Sequence, residues 1–189
     1  MPPPTEQTDR PPMLVTIVTG SRLVLALGVA VLTRWSGTET WAVVLATSLV
    51  LLIEISDLAD GYLARRNRAV SQFGKLFDPY TDSLSRITVY WSLAVTGRCL
   101  AFVPLIMAIR DITVGYTRIL LTRKGKDVAA RWWGKAKAVT QGTCALLLMS
   151  GPMWWGDAGP AIIYALSFLV VAATLGSAVL YARVALRRP

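Results

Sequence analysis

The stretch Asp57-Leu58-Ala59-Asp60-Gly61-Tyr62-Leu63-Ala64-Arg65, resumed after eight residues by Gly74-Lys75-Leu76-Phe77-Asp78-Pro79-Tyr80-Thr81-Asp82, decides how the rest of the chain is read. It holds four of the eleven acidic residues and lies between two strongly apolar segments, where a bare carboxylate is costly. On helices, Asp57 and Asp60 are spaced i, i+3 and Asp78 and Asp82 i, i+4, so each pair projects from one face. Two such helices side by side would bring four carboxylates to one point. Their repulsion is most simply offset by two divalent cations of matching total charge. The chain has no histidine and only two cysteines, Cys99 and Cys144, so the ligands left are hard oxygens, which suit Mg²⁺ or Mn²⁺ rather than zinc. Magnesium held by carboxylates completes its shell with phosphate oxygens, which points to a phosphate-bearing substrate. Gly61 and Gly74 would let a bulky ligand approach the backbone, and Arg65 offers a fork of donors.

Outward from this stretch the composition is that of a membrane protein. The 189 residues are 54% hydrophobic and 16% charged, with a mean hydropathy of +0.50. Six transmembrane helices are predicted, at about Leu14–Thr33, Trp41–Leu63, Leu76–Gly97, Leu100–Leu121, Ala138–Trp154 and Ala161–Tyr181. The fold class is therefore all-α and polytopic: a disordered or surface-lying tail over residues 1–12, with five prolines and no features of a signal peptide, and one membrane domain over 13–189. The connections expected to face outward hold Arg34, Arg98 and no basic residue between Gly151 and Pro160, whereas the others and the C-terminal tail hold a dozen or more. The positive-inside rule then puts both termini and the aspartate window on the cytoplasmic side, with Trp154 and Trp155 in an outer interfacial belt. The net charge of +9 is accounted for by this topology and by anionic lipid heads, so no nucleic acid partner is called for. The cysteines read as packing residues rather than a disulfide framework.

Several charges fall inside the predicted spans. Arg22, several residues in from an end, reads as a ligand for an anion in a polar cavity rather than a snorkelling anchor. Glu54, one turn before Asp57, is expected to orient a ligand or pair with an arginine, and Arg86 to steady Asp82 or form a structural ion pair. Arg110 and Arg118 share a face of the fourth span. Lys137 and the run Arg123 to Lys126 read as positive-inside charge.

At the aspartate window the sequence resembles the CDP-alcohol phosphotransferases, whose signature Asp-x2-Asp-Gly-x2-Ala-Arg-x8-Gly-x3-Asp-x3-Asp is matched at all eight fixed positions by Asp57, Asp60, Gly61, Ala64, Arg65, Gly74, Asp78 and Asp82. Thr16, Thr19 and Arg22 are similar to an Asn-x-x-Thr-x-x-Arg element of that family, with threonine in place of the asparagine. The resemblance implies transfer of a substituted phosphoryl group from a CDP-linked donor, here CDP-diacylglycerol, to an alcohol, with release of CMP. It implies that Asp57, Asp60, Asp78 and Asp82 hold two cations, that Asp82 is the base, and that Gly61, Ala64, Arg65, Gly74 and Thr19 line the donor nucleotide pocket. With histidine absent, a carboxylate is in any case the base at hand. Gly134-Lys135-Ala136-Lys137-Ala138-Val139-Thr140-Gln141 resembles the Gly-Lys-x-Lys-Thr-x-x-Gln element of phosphatidylglycerophosphate synthases, and Arg110-Asp111 their Arg-acidic pair. Glycerol 3-phosphate would then be the acceptor, its phosphate cradled by Arg110, Arg118 and Lys135. Thr81 and Ser83 depart from the synthases' usual residues around Asp82, which leaves inositol phosphate, serine or another alcohol open. The resemblance further implies a homodimer in the bacterial inner or plasma membrane, in contact with membrane lipids. A non-enzymatic cation carrier is the reading of another class, disfavoured because the charges crowd toward one side of the membrane.

Overall fold

The computed structural model describes the backbone of residues 13–36, 39–67, 72–123 and 131–186, and the side chains of 20–35, 39–57, 79–121 and 134–183. Six long α-helices follow one another: α1 (Met13–Ser36), α2 (Thr40–Asn67), α3 (Gln72–Val95), α4 (Phe102–Arg123), α5 (Arg131–Ser150) and α6 (Gly159–Leu186). Two short 3₁₀ turns, Gly151–Met153 and Gly156–Ala158, separate α5 from α6, and no strand occurs among the described residues. Each predicted span has its helix. The fifth departs most: α5 begins at Arg131, so Arg131 to Lys137, expected to precede the span, is helical. That stretch holds neither proline nor a cluster of turn residues, so nothing local stops the helix from extending outward. The tail over 1–12 and most of the Arg123 to Lys126 run lie outside the described residues.

Local chemistry sets the ends. The α3 helix closes in a Schellman motif: Gly97, with φ of 72°, donates to the Ala94 carbonyl (3.1 Å), and Arg98 N–H reaches back to Leu93 (2.8 Å). Between α5 and α6, Gly151 lets the Trp155 ring lie against the backbone, where a Cβ would fall 1.9 Å from the indole. Trp155 is therefore half-buried, while Trp154 is exposed as expected of a belt residue. Arg98 does stand in the connection between α3 and α4, with its side chain tucked in: it is 4% exposed and directs Nη1 at the Met149 sulfur (3.7 Å).

The helices pack with α1 against α2 and α3, α2 against α5, α3 against α4 and α5, and α6 against α4 and α5. The buried centre holds Val29, Val50, Tyr90, Leu93, Met107 and Leu148, yet Arg22, Arg86, Gln141 and Thr174 are buried too. Outward faces carry Val24, Leu52, Ile112 and Phe168. Large apolar groups outside and polar groups inside suit a lipid surrounding, in which inward-facing polar residues join the helices. Among the described residues two stretches, Thr40–Asp57 and Gly156–Arg183, are by themselves long and apolar enough to cross a membrane, whereas Arg110, Asp111 and Arg118 interrupt the apolar run of α4. The hydroxyls are accommodated by back-bonding one turn: Thr33 donates to Val29 (2.8 Å), Thr88 to Leu84 (2.9 Å) and Thr174 to Val170 (2.7 Å). Between helices, Tyr90 donates to the Gln141 carbonyl (2.7 Å) and Gln141 Nε2 to Thr174 Oγ1 (2.9 Å), tying α3, α5 and α6 together.

Candidate active site

The aspartate window is helical on both sides of residues 68–71. The α2 helix runs through Asp57, Asp60, Gly61, Ala64 and Arg65 before ending at Asn67, and α3 runs through Gly74, Asp78 and Asp82. The i, i+3 and i, i+4 spacings thus act on helices, and each aspartate pair lies on one helical face. Pro79 sits inside α3 and has no N–H, so the Lys75 carbonyl one turn earlier loses its helical donor. The side chains of Thr16, Thr19, Asp60, Ala64, Arg65 and Asp78 lie outside the described residues, and so do the surroundings of Gly61 and Gly74 and the connection between the helices.

The two aspartates whose side chains are described, one from each half of the window, meet at one guanidinium. Arg86 Nε donates to Asp82 Oδ1 (2.9 Å) within α3, and Nη2 donates to Asp57 Oδ2 (3.3 Å) and Glu54 Oε2 (3.1 Å) on α2. Nη1 donates to the Ala138 carbonyl on α5 (2.6 Å). From the opposite side Arg22 Nη1 donates to Asp57 Oδ1 (3.0 Å). Arg22 therefore does find an anion in the interior, and that anion is the Asp57 carboxylate. The arginines occupy the buried side: their side chains are 1% and 6% exposed, against 32% for Asp57 and 29% for Asp82. Both carboxylates are thus partly exposed, while the guanidiniums that hold them are buried. Among the described residues no group of three or more acidic, histidine or cysteine side chains stands where it could hold a metal ion; Asp57 and Asp82 offer hard carboxylate oxygens of the kind that suits a divalent ion, and Asp60 and Asp78 lie outside the described side chains.

A second polar group lies on α4 and α5. Arg110 Nη1 and Lys137 Nζ both donate to Asp111 Oδ1 at 2.7 Å, and the three side chains are 13%, 9% and 7% exposed in the order Arg110, Lys137, Asp111. Lys137, expected to be surface charge, is instead a buried partner of Asp111. Helical continuation of α5 through residues 131–137 turns it toward α4. Arg118 and Lys135 are exposed, Arg118 two turns beyond Arg110 on α4 and Lys135 near the start of α5. The sequence also left unnoticed the part of Gly142: a Cβ there would fall 2.4 Å from Glu54 Oε2. Its signal was a glycine in a helix interior, which costs stability and so calls for a packing reason.

Known proteins place this arrangement. The chain is 40% identical over 93 residues to a CDP-diacylglycerol--glycerol-3-phosphate 3-phosphatidyltransferase of Mycoplasma genitalium, covering 49% of this chain and 39% of the relative. It is 34% identical over 92 residues to the protein of the same name from Treponema pallidum, covering 49% and 43%. A longer alignment, with the protein of that name from Haemophilus influenzae, is 29% identical over 146 residues and covers 74% and 76%. The chain thus spans about two fifths of the Mycoplasma and Treponema relatives it matches. The family description that fits it, CDP-alcohol phosphatidyltransferase, extends over residues 12–186, which takes in all six helices and both polar clusters. With the motif helical as its spacing requires, and with its two halves joined at Arg86, the chain belongs to the CDP-alcohol phosphatidyltransferase family.

Proposed function

We propose that the protein is a metal-dependent transferase that moves a phosphatidyl group from CDP-diacylglycerol to the hydroxyl of glycerol 3-phosphate and releases CMP. The observation that carries this reading is the convergence of Asp57 and Asp82, one from each half of the motif, on the buried Arg86 guanidinium. The names of the relatives support the acceptor. Asp57, Asp60, Asp78 and Asp82 would hold two Mg²⁺ or Mn²⁺ ions, which when bound polarise the pyrophosphate and stabilise the leaving CMP.

The chain's own residues do the rest. Asp82 takes the proton of the attacking hydroxyl; Arg86, bonded to its Oδ1, leaves the other oxygen free of that contact. Arg22 and Arg86 hold Asp57 from two sides, so its carboxylate cannot rotate away. Gly61, Ala64, Arg65, Gly74 and Thr19 line the donor nucleotide pocket, with Arg65 neutralising phosphate charge. Arg110, Arg118 and Lys135 receive the acceptor phosphate, and Asp111 fixes the rotamer of Arg110. The six helices cross the membrane, with both termini and the site on the cytoplasmic side of a bacterial inner or plasma membrane, and two copies form a homodimer among the membrane lipids.

The test is release of CMP from CDP-diacylglycerol with Mn²⁺ or Mg²⁺, comparing glycerol 3-phosphate with inositol phosphate, inositol and serine. The expected result is release with glycerol 3-phosphate alone; release with another alcohol reassigns the acceptor, and none with any refutes the transferase reading. Asp82→Asn should abolish turnover while CDP-diacylglycerol still binds.

A further inference from the structure

We infer that Glu54 and Gly142 form a positioning unit for the active site: the missing Cβ of Gly142 admits the Glu54 carboxylate between α2 and α5, and Glu54 holds Arg86 where it can reach Asp57 and Asp82. The inference rests on the reading of those aspartates as metal ligands. Glu54 accepts from Arg86 Nη2 at 3.1 Å, while a Cβ on residue 142 would lie 2.4 Å from its Oε2 and 2.6 Å from its Cδ. Both distances are below any real Cβ contact, and the obstacle is a carboxylate already committed to an ion pair. Because the obstacle is the flexible end of a side chain, alanine at 142 moves Glu54 off Arg86 before it parts α2 from α5. Either change reaches the aspartates, because the same guanidinium donates to Asp82 Oδ1, Asp57 Oδ2 and the Ala138 carbonyl one turn before Gly142.

Glu54 is not itself a substrate subsite. The cavity bordered by Glu54, Arg86, Tyr90 and Gln141 has a volume of about 10 Å³, room for one water and nothing larger. Nor does Glu54 serve only as bulk in the core: its carboxylate is the third on Arg86, and an apolar residue there would leave Nη2 with Asp57 alone among the described contacts.

The test is a double-mutant cycle of Gly142→Ala and Glu54→Ala on the purified full-length protein, read in two ways. The first is Mn²⁺ affinity by spin resonance without donor or acceptor; the second is the unfolding midpoint in EDTA. Gly142→Ala should weaken Mn²⁺ binding about tenfold, the lower end of the usual cost of disturbing residues that orient metal ligands. In the Glu54→Ala background, where the space is vacated, the same change should alter affinity less than about twofold and should not lower the midpoint. Glu54→Gln, which still offers Arg86 an acceptor, should bind Mn²⁺ more tightly than Glu54→Ala. If Gly142→Ala fails to fold, its recovery by Glu54→Ala decides the matter. Independent effects of the two changes, or unaltered Mn²⁺ affinity in Gly142→Ala, would overturn the proposal. Wild-type protein that binds no Mn²⁺ would refute the metal reading instead, and the cycle of midpoints in EDTA would still decide whether Gly142 makes room for Glu54.

Discussion

Replacing Arg86 by methionine keeps most of the side chain's length and removes its charge and donors. Among the described residues, Arg86 and Arg22 face the three carboxylates of Glu54, Asp57 and Asp82, so the cluster would go from one excess negative charge to two. Taking one partner from a fully buried ion pair costs about 3–5 kcal/mol, since the other charge stays behind in a poor solvent. Here the carboxylates are 19–32% exposed, which lets water take up part of the loss and brings the expected cost to about 2–3 kcal/mol. For a chain of this size, each kcal/mol moves the midpoint by roughly 2–4 °C, so thermal unfolding in detergent with EDTA should fall by about 4–12 °C. Millimolar Mn²⁺ should reduce that fall, because a dication restores positive charge among the carboxylates. Arg86→Lys should lie between wild type and methionine: the ammonium returns the charge but cannot serve four acceptors from one plane. A fall of less than about 2 °C for Arg86→Met would refute the claim that this guanidinium holds the carboxylates together. So would a lysine variant no better than methionine.

Three further outcomes are expected. EDTA should stop CMP release and added Mn²⁺ or Mg²⁺ restore it; full activity after exhaustive chelation would rule out metal-held pyrophosphate. Lys137→Met should leave Asp111 with Arg110 alone and raise the KM for glycerol 3-phosphate while the KM for CDP-diacylglycerol stays within about twofold; equal rises in both would separate the triad from the acceptor. Gly151→Ala should displace the Trp155 ring, which lies 1.9 Å from the position of the new Cβ, and change tryptophan emission with a loss of about 1–3 kcal/mol in stability; an unchanged spectrum would contradict that contact.

The helical placement of the motif was legible in the primary structure because its information is local. Asp57, Asp60, Asp78 and Asp82 are spaced by a turn of helix, and a turn of helix has the same geometry wherever it occurs. The same holds for the six apolar stretches, each long enough for a helix, and for the absence of histidine, which limits the chemistry to carboxylates. What composition and spacing could not supply was which charges meet. Lys137 looked like one more basic residue beside the membrane, and only the continuation of α5 back to Arg131 brings it to Asp111 across 26 positions of chain. Arg86 was placed beside Asp82 by the i, i+4 rule, but its reach to Glu54 and Asp57 depends on α2 and α3 both packing against α1 and α5. Gly142 carried no sign of its partner, because a glycine's purpose lies in what occupies the space beside it. Local periodicity and residue chemistry were thus enough to place the helices and the motif they carry. The pairings between helices were decided by tertiary contacts, since in a poor solvent a charge that its own helix does not satisfy must find its partner on another.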